Sequence, residues 1–164
     1  MPEHHVPARA PAGAQGVGVP EQLATLVPMA HAGATWFMTG LIWFVQVVHY
    51  PLMGVVPGNE FPAYQRDHQR RTTAVVGPVM LVEAGSALLL AWSPSREFAG
   101  FPLAWTGLVL LAFIWVSTFA VQVPLHARLA SGFDRAVWRR LVITNWLRTL
   151  GWTVRAGIAV LLWQ

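Results

Sequence analysis

The sequence predicts an all-α integral membrane protein. The expected architecture is a four-helix bundle built from two repeated pairs of spans, with an interfacial helix in each of two longer connections. Three observations point there. The 164 residues are 55% hydrophobic and only 11% charged, with a mean hydropathy of +0.48, whereas soluble domains are about 25% charged. Four apolar stretches are each about 20 residues long, which is the length needed to cross a ~30 Å hydrocarbon core. The basic residues are all Arg and collect in two of the connections between those stretches.

Taken in order, residues 1–22 are rich in Pro, Ala and Gly and lack an apolar run, so they read as a disordered tail and not as a signal peptide. Residues 23–164 form the transmembrane domain, with spans at about 26–50, 73–92, 103–123 and 144–163. None shows the alternating pattern of a barrel strand, so helices are the expected solution in lipid. Pro51 is expected to close the first span, and Pro124 to bend or end the third. Seven Arg (66, 70, 71, 128, 135, 139 and 140) lie in the two longer connections. Arg96 and Arg9 lie on the other side. The positive-inside bias then places those two connections in the cytoplasm and both termini outside, in a bacterial inner membrane. The segments EFPAYQRDHQRR and GFDRAVWRRLV carry aromatic and basic residues at helical spacing, as interfacial helices do.

The halves match at an offset of 72 residues: six of nine residues are identical between Val82–Leu90 and Val154–Leu162. A repeat in the same orientation predicts pseudo-symmetry about the membrane normal. Under this alignment Glu83 and Arg155 are equivalent, each 11 residues past a matched Thr, or ~16 Å along a helix and so near mid-membrane. An ionised group at that depth costs at least ~2.5–3.5 kcal/mol, so Glu83 and Arg155 are expected to pair and are the candidate catalytic residues.

Helical phasing gathers the other polar residues into stripes. His31, Thr35, Thr39, Gln46 and His49 fall within about 80° on the first helix. Trp115, Thr118, Gln122 and His126 share a stripe on the third, and Asn145, Arg148, Trp152 and Arg155 on the fourth. His49, His68 and His126 all map to the cytoplasmic half. With Glu83 they form a candidate ligand set for Fe, Cu or Zn, because imidazole and carboxylate suit those ions and bundle cores build such sites from facing helices. There is no Cys, so thiolate chemistry is excluded. Gln46, Tyr64, Gln122, Asn145, Arg148, Trp115 and Trp152 are the candidate substrate contacts, with Trp146 as a further aromatic wall.

Two resemblances add to this reading. A first span ending in His49-Tyr50-Pro51, followed by Phe61-x-x-Tyr64 and a second apolar span, resembles the anthrone-oxygenase-like family of small four-span membrane proteins over about the first 90 residues. That likeness implies oxidation of a lipophilic aromatic or quinone-like substrate. The phrase MAHAGATWFMTGLIW, with His31 at the head of a span, more weakly resembles the CopD and HemJ-type group, in which such a His is paired with a Lys; this chain has no Lys.

The leading expectation is therefore a metal-dependent membrane oxidoreductase. The alternatives are a haem b or quinone electron-transfer protein using His31 as an axial ligand, a proton-coupled transporter acting as a homo-oligomer, and a scaffold without chemistry. Lipid and a lipophilic small molecule are the expected partners. Nucleic acid is not, since orientation and anionic lipid already account for the Arg residues.

Overall fold

The structure, a computed structural model, describes residues 19–92 and 101–162; within these, the side chains of 19–21 and 101 are excepted. The tail expected over 1–22 lies outside the described residues up to residue 18, and helix begins at Val19. The elements are α1 (Val19–Phe44), a π-helical turn (Val45–His49), α2 (Tyr50–Met53), α3 (Phe61–Trp92), α4 (Phe101–Ser117), a second π-helical turn (Thr118–Gln122), α5 (Val123–Leu129) and α6 (Arg135–Leu161). No strand occurs among the described residues.

Each π turn joins its two helices into one rod, so four rods result. The first packs on α3 and α6, and the third packs on the same two. Three rods are long and apolar enough to cross a membrane: Gln22–Met53, Phe61–Trp92 and Pro102–Leu129. In the fourth, Arg148 and Arg155 lower the hydropathy, although its outward face (Ile143, Leu147, Leu150, Val154) is apolar and exposed. Leu81, Val109 and Val116 are likewise about two-thirds exposed, at 67%, 64% and 65%. An apolar exterior on this scale is what lipid, not water, solvates.

Two expectations are corrected here. Pro51 and Pro124 do not end their helices. Proline lacks an N–H and its ring clashes with the carbonyl four residues back, and in both rods the preceding turn widens to absorb this. The Tyr50 N–H reaches the Val45 carbonyl and the Val123 N–H reaches that of Thr118, both i→i+5 bonds. Nor are there separate interfacial helices in the connections. Nothing between Phe61 and Thr73 breaks a helix, so α3 continues unbroken for 32 residues. At ~48 Å it outreaches the apolar slab. Its Arg66, Asp67, Arg70 and Arg71 turns are exposed. The true connections are short. Residues 54–60 make one, and 130–134 make the other. Asp134 caps α6 by accepting from the N–H groups of Ala136 and Val137 at 2.7 and 3.1 Å.

The interior is layered along the bundle axis. One apolar cluster (Met38, Ile42, Met80, Ile114, Trp152) lies near the middle, and a second (Tyr50, Met53, Phe61, Leu125, Leu129, Leu141) closes one end. Gly151 lets α6 approach α4 closely, since a Cβ there would lie 3.0 Å from the Ile114 side chain. Polar layers lie on both sides of the middle cluster, and they position the site.

Candidate functional site

The inner polar layer is built around Glu83, which is fully buried, and Arg155, which is 1% exposed. Arg155 Nε donates to Glu83 Oε1 at 3.1 Å, and Nη2 makes an ionic contact with the same oxygen at 3.1 Å without the alignment of a hydrogen bond. Trp152 Nε1 donates to both carboxylate oxygens at 3.2 and 3.1 Å, and Thr35 Oγ1 donates to Oε1 at 3.2 Å. Arg155 Nη1 donates to the Gly107 carbonyl. The expected pairing thus exists, and the carboxylate accepts from three residues on two helices. One turn further out, His31 Nδ1 lies 3.3 Å from Ser86 Oγ.

The second polar layer joins Gln46, Asn145 and Arg148. Asn145 Nδ2 donates to Gln46 Oε1 at 2.8 Å, and Arg148 Nη1 donates to Asn145 Oδ1 at 3.2 Å. The Arg148 guanidinium also lies over the Trp152 ring, 5.3 Å from its centre. Gln122 Nε2 donates to Thr144 Oγ1 at 2.9 Å.

At the end of the bundle the three histidines gather. The π turn places His49 beside α3, where His68 stacks on it with ring centres 4.3 Å apart. His68 and His126 follow at 5.5 Å. Tyr64, one turn before His68, stacks parallel to it at 6.4 Å. His126 is saturated. Gln65 Nε2 donates to its Nδ1 at 2.8 Å and also to its backbone carbonyl, which fixes the amide orientation because a carbonyl only accepts. His126 then carries its proton on Nε2 and donates it to the Tyr50 oxygen at 3.2 Å. His68 Nδ1 is taken by Thr72 Oγ1 at 3.2 Å. His49 Nε2 is buried and has no hydrogen-bond partner among the described residues. His49, Tyr64, His68 and Thr72 line a cleft of about 620 Å³, bordered by Arg66, Asp67 and Arg71. A second groove of about 370 Å³ on α6, between Arg139 and Arg140, contains no group suited to chemistry.

The structure therefore brings together His49, His68, His126 and Tyr64, and separately Glu83, Arg155 and Trp152. It does not assemble the four-donor set. Glu83 lies 15 residues from His68 on α3, ~22 Å along the axis, and its oxygens are committed to Arg155, Trp152 and Thr35. Among the described residues no three His, Asp or Glu side chains are placed to share one ion. His31 has no second imidazole at its own end, since the other described histidines cluster ~27 Å away along α1. Two aromatic walls also fall elsewhere. Trp146 is 40% exposed and packs edge-on against Trp43 on the exterior, and Trp115 packs against the middle apolar cluster and Phe119. Sequence reasoning missed Tyr50 and Gln65, both buried against His126. Their signal was position: Tyr50 adjoins His49, and Gln65 and Gln69 sit one turn apart beside His68. Comparison with protein-family models, curated proteins and solved structures finds no match.

Proposed function

We propose that the chain is a multi-pass oxidoreductase of the bacterial inner membrane, acting on a lipophilic aromatic or quinone-like substrate at the His49–His68 cleft. On this reading all four rods cross the membrane, the halves are a duplicated pair, and the cleft faces the cytoplasm. The observation that carries the proposal is the buried, unpartnered Nε2 of half-buried His49, a residue in the wall of a cleft large enough for a ring-sized ligand. Native structures seldom leave such a nitrogen without a partner unless a ligand, ion or water supplies one. Tyr64 and the His68 face offer a stacking surface, and Arg66 and Arg71 sit where a headgroup or polar tail would emerge.

His49 and His68 also supply two imidazole donors for a divalent Fe, Cu or Zn ion. An imidazole holds its ion in the ring plane at ~2.0–2.1 Å, so these two rings, stacked here with centres 4.3 Å apart and planes 22° apart, would have to turn to share one. His126 would become a third donor only on losing the Gln65 amide, since its Nδ1 lone pair is taken by that amide and its Nε2 carries the proton. The buried polar layers around Glu83 and around Gln46, with His31 and His49 beyond them, favour a second reading, in which protons move along the bundle during transport.

The test is elemental analysis of detergent-purified protein, combined with oxidation of a short-chain benzoquinol by dissolved dioxygen, which takes up the two electrons and two protons as hydrogen peroxide, followed by absorbance. A stoichiometric metal and turnover that disappears in His49→Ala are expected. Metal should be released in acid, because imidazole coordinates only when neutral. Folded wild-type protein with neither metal nor turnover would sink the enzymatic reading. Reporter fusions at Gly100 and Gly132 should give opposite orientations, and a cytoplasmic Gly100 would overturn the topology.

A further inference from the structure

Arg148 is a buried cation with no counter-ion among the described residues. It is 8% exposed, halfway along α6. Four carboxylates lie among residues with described side chains. Glu60, Asp67 and Asp134 are exposed on the connections or the first turns of α3, and Glu83 is held by Arg155, Trp152 and Thr35. What Arg148 does have is neutral: the Asn145 side-chain oxygen and the face of Trp152. Its Nε has no partner among the described residues. The Trp152 indole donates its N–H to the Glu83 carboxylate. That polarises the ring and strengthens its hold on a cation, but leaves the core with two guanidinium charges against one carboxylate. An excess buried charge is costly unless it is paired.

We propose that the bundle core binds a monovalent anion at Arg148, on the side of its Nε. The chemistry is that of a single negative charge accepting charge-assisted hydrogen bonds from a guanidinium edge. The anion is either a halide from solvent or the ionised oxygen of a lipophilic ligand, such as a carboxylate or phenolate. This site lies in the Gln46–Asn145 layer and uses none of the cleft's histidines, so it goes beyond the proposed activity and fails or stands separately from it.

The experiment is thermal unfolding of the detergent-purified full chain at constant ionic strength. Sodium gluconate, whose polyhydroxylated anion is costly to strip of water, is replaced stepwise by sodium chloride or by sodium benzoate. Binding to the folded state alone raises the midpoint with anion concentration, by about 5 °C well above the dissociation constant. A rise with chloride identifies a solvent halide, and a rise with benzoate alone identifies an organic oxyanion. The rise should vanish in Arg148→Gln, persist in the exposed-site control Arg140→Gln, and persist in His49→Ala. No anion dependence in the wild type, or equal dependence in Arg148→Gln, overturns the site. Should Arg148→Gln fail to fold, bromide and, separately, 4-bromobenzoate soaked into crystals of the wild-type protein provide the alternative readout. An anomalous peak beside Arg148 with either supports the site, and no peak there with both overturns it.

Discussion

The Glu83 layer and the histidine end of this bundle are both polar and largely buried, yet they are finished to different degrees. Around Glu83 the groups answer one another: the carboxylate accepts from Thr35, Trp152 and Arg155, and Arg155 also reaches the Gly107 carbonyl. At the other end His126 is saturated, but His49 Nε2, Gln65 Oε1 and, one layer in, Arg148 Nε and Gln122 Oε1 have no partner among the described residues. A network answered at every group but Arg155 Nη2, which Glu83 holds by charge alone, keeps helices together. An unanswered one holds them ready for something else. On the proposed reading the first region supplies stability and the second binds the ligand.

The largest expected effect strikes the finished region. Glu83→Gln strands Arg155 in low dielectric and should destabilise the fold by about 3–5 kcal/mol. The double change Glu83→Gln with Arg155→Leu removes both charges and should recover part of that loss, measured by thermal unfolding in detergent. A double variant no more stable than the worse single would break the assignment of a direct pair. Next comes Gly54, where an added Cβ would lie 2.8 Å from the Trp138 ring, whose Nε1 donates to the Tyr50 carbonyl at 3.0 Å. Gly54→Ala should cost about 1–3 kcal/mol by forcing this ring aside, and a neutral result would mean the end of the bundle is looser than described. Tyr50→Phe removes the acceptor of the His126 proton and should cost about 0.5–1.5 kcal/mol. The smallest stability effect is expected for His49→Ala, which breaks no hydrogen bond that Nε2 makes, so it should stay within about 1 kcal/mol of wild type. A large destabilisation there would place His49 with the structural groups.

Much of this was legible in the chain before the structure. The lone acid in one apolar stretch, Glu83, and the cation Arg155 in another declared their pairing because buried charges must be answered. The stripes on α1 and α6 followed from helical phase, and His31, Thr35, Thr39 and Gln46, like Asn145, Arg148, Trp152 and Arg155, are indeed buried. Helix ends were misread because proline was taken as a stop. The widening to i→i+5 bonds before Pro51 and Pro124 depends on neighbours that hold the rod straight, which no local pattern encodes. Glu83 was joined to the histidines because both are metal donors. Axial distance along α3 separates them, and that distance is plain only once α3 is known to run unbroken from Phe61 to Trp92. The engagement of His126 by Tyr50 and Gln65 required three elements to meet, so no single stretch announced it.

The central claim is that the histidine end, not the buried ion pair, is where a ligand binds. Equilibrium binding of a short-chain benzoquinone to detergent-purified protein, followed by tryptophan fluorescence, tests it most directly. The variants to compare are His49→Ala and the Glu83→Gln, Arg155→Leu double, each first shown to be folded. The account predicts that binding is lost, by at least about tenfold in Kd, or 1.4 kcal/mol, in His49→Ala and survives in the double variant. Binding that survives in His49→Ala and disappears in the double variant would contradict it.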